Sequence, residues 1–407
     1  MVLSMSLVVM FIGLGALAAA RAQALAAARN ADWDDAGFLA RSAVEHALTL
    51  IATDSAWRTR YSNNVESAPV VVGRGRFTFK LVDEGDGDLA DSATDWVRLH
   101  GIGRVGGTTR LYSVLLMSRG VGLDCLRTAL HSNANVLVQT ACFATGGPVS
   151  TNATFSASAT LQGDVEAASR SGVLPSGTVT VPAPPKPLPD PKVFDFYRAK
   201  ATEIPLAILD EKAIKRALLS STSNPYGPVN PLGYYHISVP DGQTLTIRNS
   251  RIKGLLLVTL GAGAKLTAKG AILWEPPGPG SPALIARGTG ASTIEFRNDQ
   301  NLLSEASEQM NFNPTGTPYN GVADDDQTDS YSSELRGLVH VIGSSVTTSL
   351  AAGQRLTGAL ICEGPVMLSG STTLTADPTL YTKPPEGYSG GGDMRPVAGT
   401  WRWETLK

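Results

Sequence analysis

The sequence predicts an α+β protein: a long N-terminal membrane helix, an antiparallel β-sheet middle domain and a mainly-β C-terminal domain. The last is expected to be a β-helix (solenoid), with a β-sandwich as the alternative. Three observations predict this. Residues 2–20 carry no charged side chain. Residues 77–116 hold three segments of strand-like alternation. Beyond residue 243, short apolar runs recur between glycines, in a chain with 42 Gly and 25 Pro. A length of 407 residues exceeds one ordinary hydrophobic core, so two or three domains are expected.

The apolar run contains Leu7, Val8, Val9, Met10, Phe11, Ile12, Leu14 and Leu17. As a helix its nineteen residues extend roughly 28 Å, close to the hydrocarbon thickness of a bilayer. These eight side chains are the candidate membrane anchor, and lipid the first expected partner. No proline appears before Pro69, and Phe38, Leu39, Ala43, Val44, Ala47, Leu48 and Ile51 repeat at helical spacing. One helix is therefore expected to continue to about Trp57. Gly13, Gly15, Ala16, Ala19 and Ala20 give its first part a smooth face of the kind that lets helices approach closely. Ala22-Gln23-Ala24 also fits a signal-peptidase site, which makes a cleaved signal the rival reading. Arg21, Arg29 and Arg41 all follow the span, which by the positive-inside rule would put the C-terminal part in the cytoplasm. A basic leader encoded upstream of Met1 would reverse that, and an in-frame stop codon there would exclude it.

The apolar run, its Ala/Arg/Asn-rich continuation to Asn30 and the stretch Ala40-Arg41-Ser42-Ala43-Val44-Glu45-His46-Ala47-Leu48 together resemble the minor pilins and pseudopilins of type IV pilus and type II secretion systems. The last stretch is similar to the A-x-x-A-x-E-x-A-L helix of pilus-assembly minor pilins. The likeness covers about 60 residues, and the family's Gly-[Phe/x]-[Ser/Thr]-Leu-x-Glu leader motif is missing. It implies a single-pass inner-membrane subunit whose C-terminal domains are extracytoplasmic. Such a subunit would enter or prime a surface filament, partnered by other pilin-like subunits or an assembly platform.

The expected boundaries are 1–60 for the helix, 61–174 for a β-rich domain like a pilin head, 175–192 for a proline-rich linker, 193–382 for the solenoid-like domain with an irregular insert at 301–330, and 383–407 for a Gly-rich tail and closing strand. Phe77-Thr78-Phe79-Lys80-Leu81-Val82, Asp95-Trp96-Val97-Arg98-Leu99 and Arg110-Leu111-Tyr112-Ser113-Val114-Leu115-Leu116 read as a meander. A short helix is expected at 123–129, a strand at 135–140 and another helix at 208–219. The prolines between Pro175 and Pro191 favour an extended spacer or a surface strap. Solenoid strands are expected at 243–247, 252–258, 264–267, 338–343, 356–361 and 365–370. Residues 151–166 share their texture, so the solenoid is expected to recruit strands from before the linker.

Chemical motifs are sparse. A net charge of −2 with no basic block argues against nucleic acid. Cys125, Cys142 and Cys362 show no zinc spacing; they are either three buried thiols or include a Cys125–Cys142 pair. Gly101-Ile102-Gly103-Arg104-Val105-Gly106 is followed by a strand rather than a helix, so it reads as a hairpin turn and not a dinucleotide site. Asp83-Glu84-Gly85-Asp86-Gly87-Asp88 lacks the EF-hand spacing and reads as a solvated turn. Gly387-Tyr388-Ser389-Gly390-Gly391 has no His after it, and His46, His100, His131, His236 and His340 are dispersed. Trp401 and Trp403 fit a packed closing strand. The insert holds Asn311, Asn313, Tyr319 and the acidic residues Asp324, Asp325, Asp326 and Asp329, which are either a calcium or polysaccharide site or a charged surface loop. No cofactor is expected, and no enzymatic activity. The alternatives to a pilin-like subunit are a secreted or surface β-solenoid that adheres or binds glycan and, behind it, a polysaccharide-active enzyme on that scaffold.

Overall fold

The computed structural model describes residues 2–351, 353–390 and 393–405, and of residues 2–9 the backbone alone. The chain divides into two compact units: residues 1–120 with 391–407, and residues 121–390. This replaces the expected boundaries. The second unit is one continuous segment inserted between two strands of the first, and the proline-rich stretch lies inside it rather than between domains.

In the first unit a single helix, Val2–Thr53, continues from the apolar run without a break. It ends slightly before the expected Trp57, because the Asp54 side chain accepts the Ala56 N–H at 3.0 Å and turns the chain. A separate helical turn, Trp57–Arg60, follows. The helix buries Ala36, Leu39, Ala40, Ala43, Val44, Ala47 and Ile51, a stripe set by spacings of three and four. That stripe packs on Phe77, Phe79, Leu81, Val97, Leu99 and Val114 of an antiparallel sheet. The sheet runs in the order Val70–Val72, Gly75–Asp83, Val97–Val105, Thr108–Arg119, and both Asp393–Pro396 and Arg402–Glu404 pair with the last of these. The meander and the closing strand stand where the sequence puts them.

Small residues make this helix–sheet contact. A β-carbon on Gly101 would fall 2.1 Å from the Ala40 carbonyl oxygen, and one on Gly103 would fall 2.0 Å from that of Ala36. These two glycines lie within the strand Val97–Val105, and only Gly106 takes up the turn, with φ +56°. The hairpin reading of this motif is thus corrected for its first two glycines: they admit the helix backbone.

Among the described residues the second unit is built on a 21-stranded sheet whose pairings are all parallel. One ladder stacks Thr202–Glu203, Tyr234–Val239, Leu255–Leu260, Leu284–Gly288, Glu334–Ile342, Arg355–Cys362, Leu130–Ser132, Val149–Ala157, Val165–Gly172 and Val179–Thr180 in that spatial order. The chain order differs, since residues 130–180 come first in the sequence and stack last. Arg355–Cys362 supports Leu130–Ser132, in register Leu360 to Leu130. Val366–Leu368 supports Val136–Val138, and Thr373–Ala376 supports Cys142–Thr145. Strands before the prolines are therefore recruited, as residues 151–166 suggest. The common interior is built from residues such as Phe155, Leu256, Val258, Leu266, Trp274, Leu284, Val339, Leu360 and Leu368, all buried.

The helix expected at 208–219 is absent. Short turns at Leu206–Ile208 and Asp210–Lys212 lead instead into the strands Ala213–Lys215 and Leu218–Ser220. Both strands pair with Thr244–Lys253, so stacking on a neighbour overrides the helical spacing of Leu206, Leu209, Ala213 and Ala217. At 123–129 a single 3-10 turn, Asp124–Arg127, replaces the expected helix.

Candidate functional site

The anchor segment comes first. Met10, Phe11, Ile12, Leu14 and Leu17 are all more than half exposed, and no residue of the helix's apolar window is buried. Leu7, Val8 and Val9 lie outside the described side chains. By length and composition the helix is able to cross a membrane. Its apolar and its sheet-packed parts thus belong to one continuous helix.

The acidic insert is the second candidate. It leaves the parallel sheet after Ser292–Phe296 and returns at Glu334–Ile342, and its own strands Leu302–Ser304 and Ser330–Ser332 close it as an antiparallel pair. Phe312 and Tyr331 pack in a small core with Leu218, Leu273 and Leu303. Of the four aspartates named from the sequence, the fold gathers two. Asp324 and Asp329 come together with Glu305, the carboxylate oxygens lying within 4.8 Å of one another. Asp325 and Asp326 are exposed, and Asp326 caps Thr328 through its backbone N–H at 2.9 Å and its hydroxyl at 2.7 Å.

Glu305 is fully buried. Its carboxylate accepts hydrogen bonds from the Tyr331 hydroxyl at 2.8 Å, the Asp329 N–H at 3.2 Å and the Phe312 N–H. Asn313, 1% exposed, donates through Nδ2 to Asp324 at 3.1 Å and to Asp329 at 3.0 Å. Its Oδ1 is buried with no partner. Burial, then the Glu305 carboxylate, push the Tyr331 phenol well above its ordinary pKa. Asn313 stands in the insert as the sequence names it, whereas Glu305 was not legible as a site residue, because it sits in a short helical turn nineteen residues before Asp324.

A second acidic group, Asp83, Asp86, Asp91 and Asp95, forms in the first unit. Asp83 and Asp86 shape their own turn by accepting the Gly85 N–H at 2.6 Å and the Asp88 N–H at 2.9 Å. Neighbouring acidic charge, after desolvation, raises the pKa of Asp91.

The remaining chemical candidates have structural roles. The three cysteines are buried and unpaired, which corrects the Cys125–Cys142 alternative. Burial pushes their thiols up to about 12, 11 and 12 for Cys125, Cys142 and Cys362. Tyr388, not Ser389, is the buried side chain of its glycine-rich run, with its hydroxyl 3.1 Å from His340 Nδ1. His46 packs edge-on to Phe77, and His100 lies 3.4 Å from Glu404. The other three histidines share a ladder but stay apart, with two apolar residues between His236 and His340 and one between His340 and His131. Register places His236, Leu257, Ile285, His340, Ile361 and His131 in one column of a single ladder.

The proline-rich stretch runs over that ladder as a strap. Ala183 donates to Ala167 at 2.8 Å, Lys186 exchanges two 2.8 Å bonds with the Asn152 carboxamide, and Lys186 pairs with Glu166 at 2.8 Å. Farther on, Arg287 holds Asp195 at 3.0 Å and the Pro191 carbonyl, and Phe194 meets His236 edge-on. The strap so returns the chain from the Val179–Thr180 edge to the Thr202–Glu203 edge.

No family model matches the chain, and neither does any curated protein. Among solved structures it is similar to the competence-associated pilin ComZ from Thermus thermophilus, with 12% identity over 92% of this chain and 98% of that one and a TM-score of 0.23. At that score the superposition fixes no correspondence of fold, and the roles of the two units rest on this chain's own pairing and packing.

Proposed function

We propose that the chain is a membrane-anchored, pilin-like structural or assembly subunit, without catalytic activity, whose β-rich units lie outside the cytoplasm. One observation carries this reading. A single unbroken helix has an exposed apolar first part and a later part buried on an antiparallel sheet. The apolar part needs a nonaqueous partner, and a bilayer or the packed helices of a filament supplies one. The parallel ladders of the second unit are then a β-solenoid, inserted into the pilin-like head as the surface on display. Other pilin-like subunits or an assembly platform are the expected partners, and the inner membrane is the expected site before assembly.

The test is fractionation of cells producing the full chain and a variant lacking residues 2–20. The full chain is expected in the membrane fraction, resistant to carbonate and released by detergent. The truncated chain is expected to be soluble and still folded. A full chain found wholly in the soluble or secreted fraction would overturn the proposal and leave the secreted solenoid reading in its place.

A further inference from the structure

We propose that the insert of the second unit is a calcium site, with Glu305, Asp324, Asp329 and the side-chain carbonyl of Asn313 as its protein ligands. Three carboxylates converge within 4.8 Å, a span that a cation at their centre meets with bonds of about 2.3–2.6 Å. Among the described residues no lysine or arginine forms an ion pair with any of the three: Arg216 pairs with Glu308, and Arg251 and Arg336 pair with Glu275. Glu305 is wholly buried, which a solvated surface loop does not explain.

Asn313 supplies the independent sign. Its side chain is buried and aimed at the cluster, yet its carbonyl oxygen bonds to nothing while its amide hydrogens bridge Asp324 and Asp329. Those hydrogens take the part a cation would take. A half-turn of the carboxamide exchanges nitrogen for oxygen and adds a fourth oxygen ligand to the three carboxylates. The frame is already set: Glu305 donates its N–H to the Asp329 carbonyl at 2.9 Å, and Asn311 donates to the Asp324 carbonyl at 2.7 Å. Asp324 and Asp329 are partly exposed, which leaves room for water to complete the shell. An all-oxygen set of mixed carboxylate and amide ligands on an irregular loop suits calcium better than magnesium, which demands near-octahedral geometry.

Tyr331 lies against Glu305 and provides the readout. The full chain in detergent is titrated with terbium, with tyrosine excitation and calcium competition, and its unfolding temperature is followed with calcium and with chelator. We expect sensitised terbium emission that calcium displaces, and a calcium-dependent rise in unfolding temperature. Asp324→Asn with Asp329→Asn is expected to weaken calcium binding at least about tenfold. Without calcium the same variant should unfold at or above the wild-type temperature, since like-charge repulsion is relieved. Tyr331→Phe should lose most of the emission and keep the calcium-dependent rise. A folded wild-type chain showing neither emission nor that rise overturns the assignment. So does binding that survives unchanged in the double variant, which would point to the acidic group around Asp83 instead.

Discussion

Gly101 and Gly103 show how single residues set the architecture of the first unit. The helix backbone at Ala36 and Ala40 approaches the strand so closely that neither glycine has room for a β-carbon. Overpacking at such a contact forces backbone shifts rather than rotamer changes, because the atoms it meets are carbonyl oxygens. Gly101→Val is therefore expected to destabilise the first unit by on the order of 3 kcal/mol, read from denaturant unfolding. Gly107→Val is the control, with nothing within 4 Å of its β-carbon position, and is expected to cost much less. Equal losses in the two variants would show that the helix does not rest on this strand. In the sequence the two glycines are legible only as an incomplete phosphate motif, since close approach depends on a helix some sixty residues away.

At the scale of elements, the strap and the ladder beneath it hold two histidines that contribute to the response to acid. His100 in the first unit contributes too, since burial lowers its pKa to about 4. His131 and His340 are buried in the column that the strap crosses, with His131 beside Ser150 at 2.7 Å. Desolvation, then the nearby Lys186 charge, holds His131 down to about 4, and desolvation with Arg287 holds His340 down to about 3. An unfolded chain takes up these protons near pH 6.5 and the folded one does not, so folding loses stability as pH falls below that value. The loss grows until the folded pKa is reached, and amounts to on the order of 3 kcal/mol for His131 and on the order of 5 kcal/mol for His340. Urea unfolding of the full chain between pH 7 and pH 4 measures it, and His131→Asn with His340→Gln is expected to flatten the profile. A profile of the same steepness in that variant would place the acid sensitivity elsewhere. Prolines alone suffice to read the strap as extended. Its bed was not legible, because the three histidines that share the ladder lie 105 and 104 residues apart in sequence, as His131, His236 and His340. Only strand register places them in one ladder.

For the whole molecule, sequence pattern yields the kinds of element but not their order in space. The helix, the meander and the glycine-bounded parallel strands all follow from local periodicity. The insertion does not, since Asp393–Pro396 and Arg402–Glu404 rejoin the first sheet after the whole second unit has intervened, and no local signal marks a chain that leaves a domain and returns. The same holds for the spatial order of the ladders, in which residues 355–376 support residues 130–145. The acidic insert was partly legible: Asn313, Asp324 and Asp329 stand together in the sequence of the insert, whereas Glu305 joins them only through folding.

The central claim is that the N-terminal helix is retained and serves as an anchor, and the mature N-terminal peptide tests it most directly. Mass spectrometry of the natively expressed chain is expected to recover a peptide that retains residues 2–20 in the membrane fraction. A mature chain that begins at or near Leu25 would contradict the account, because the exposed apolar part of the helix would then be a signal removed before the protein reaches its place of work.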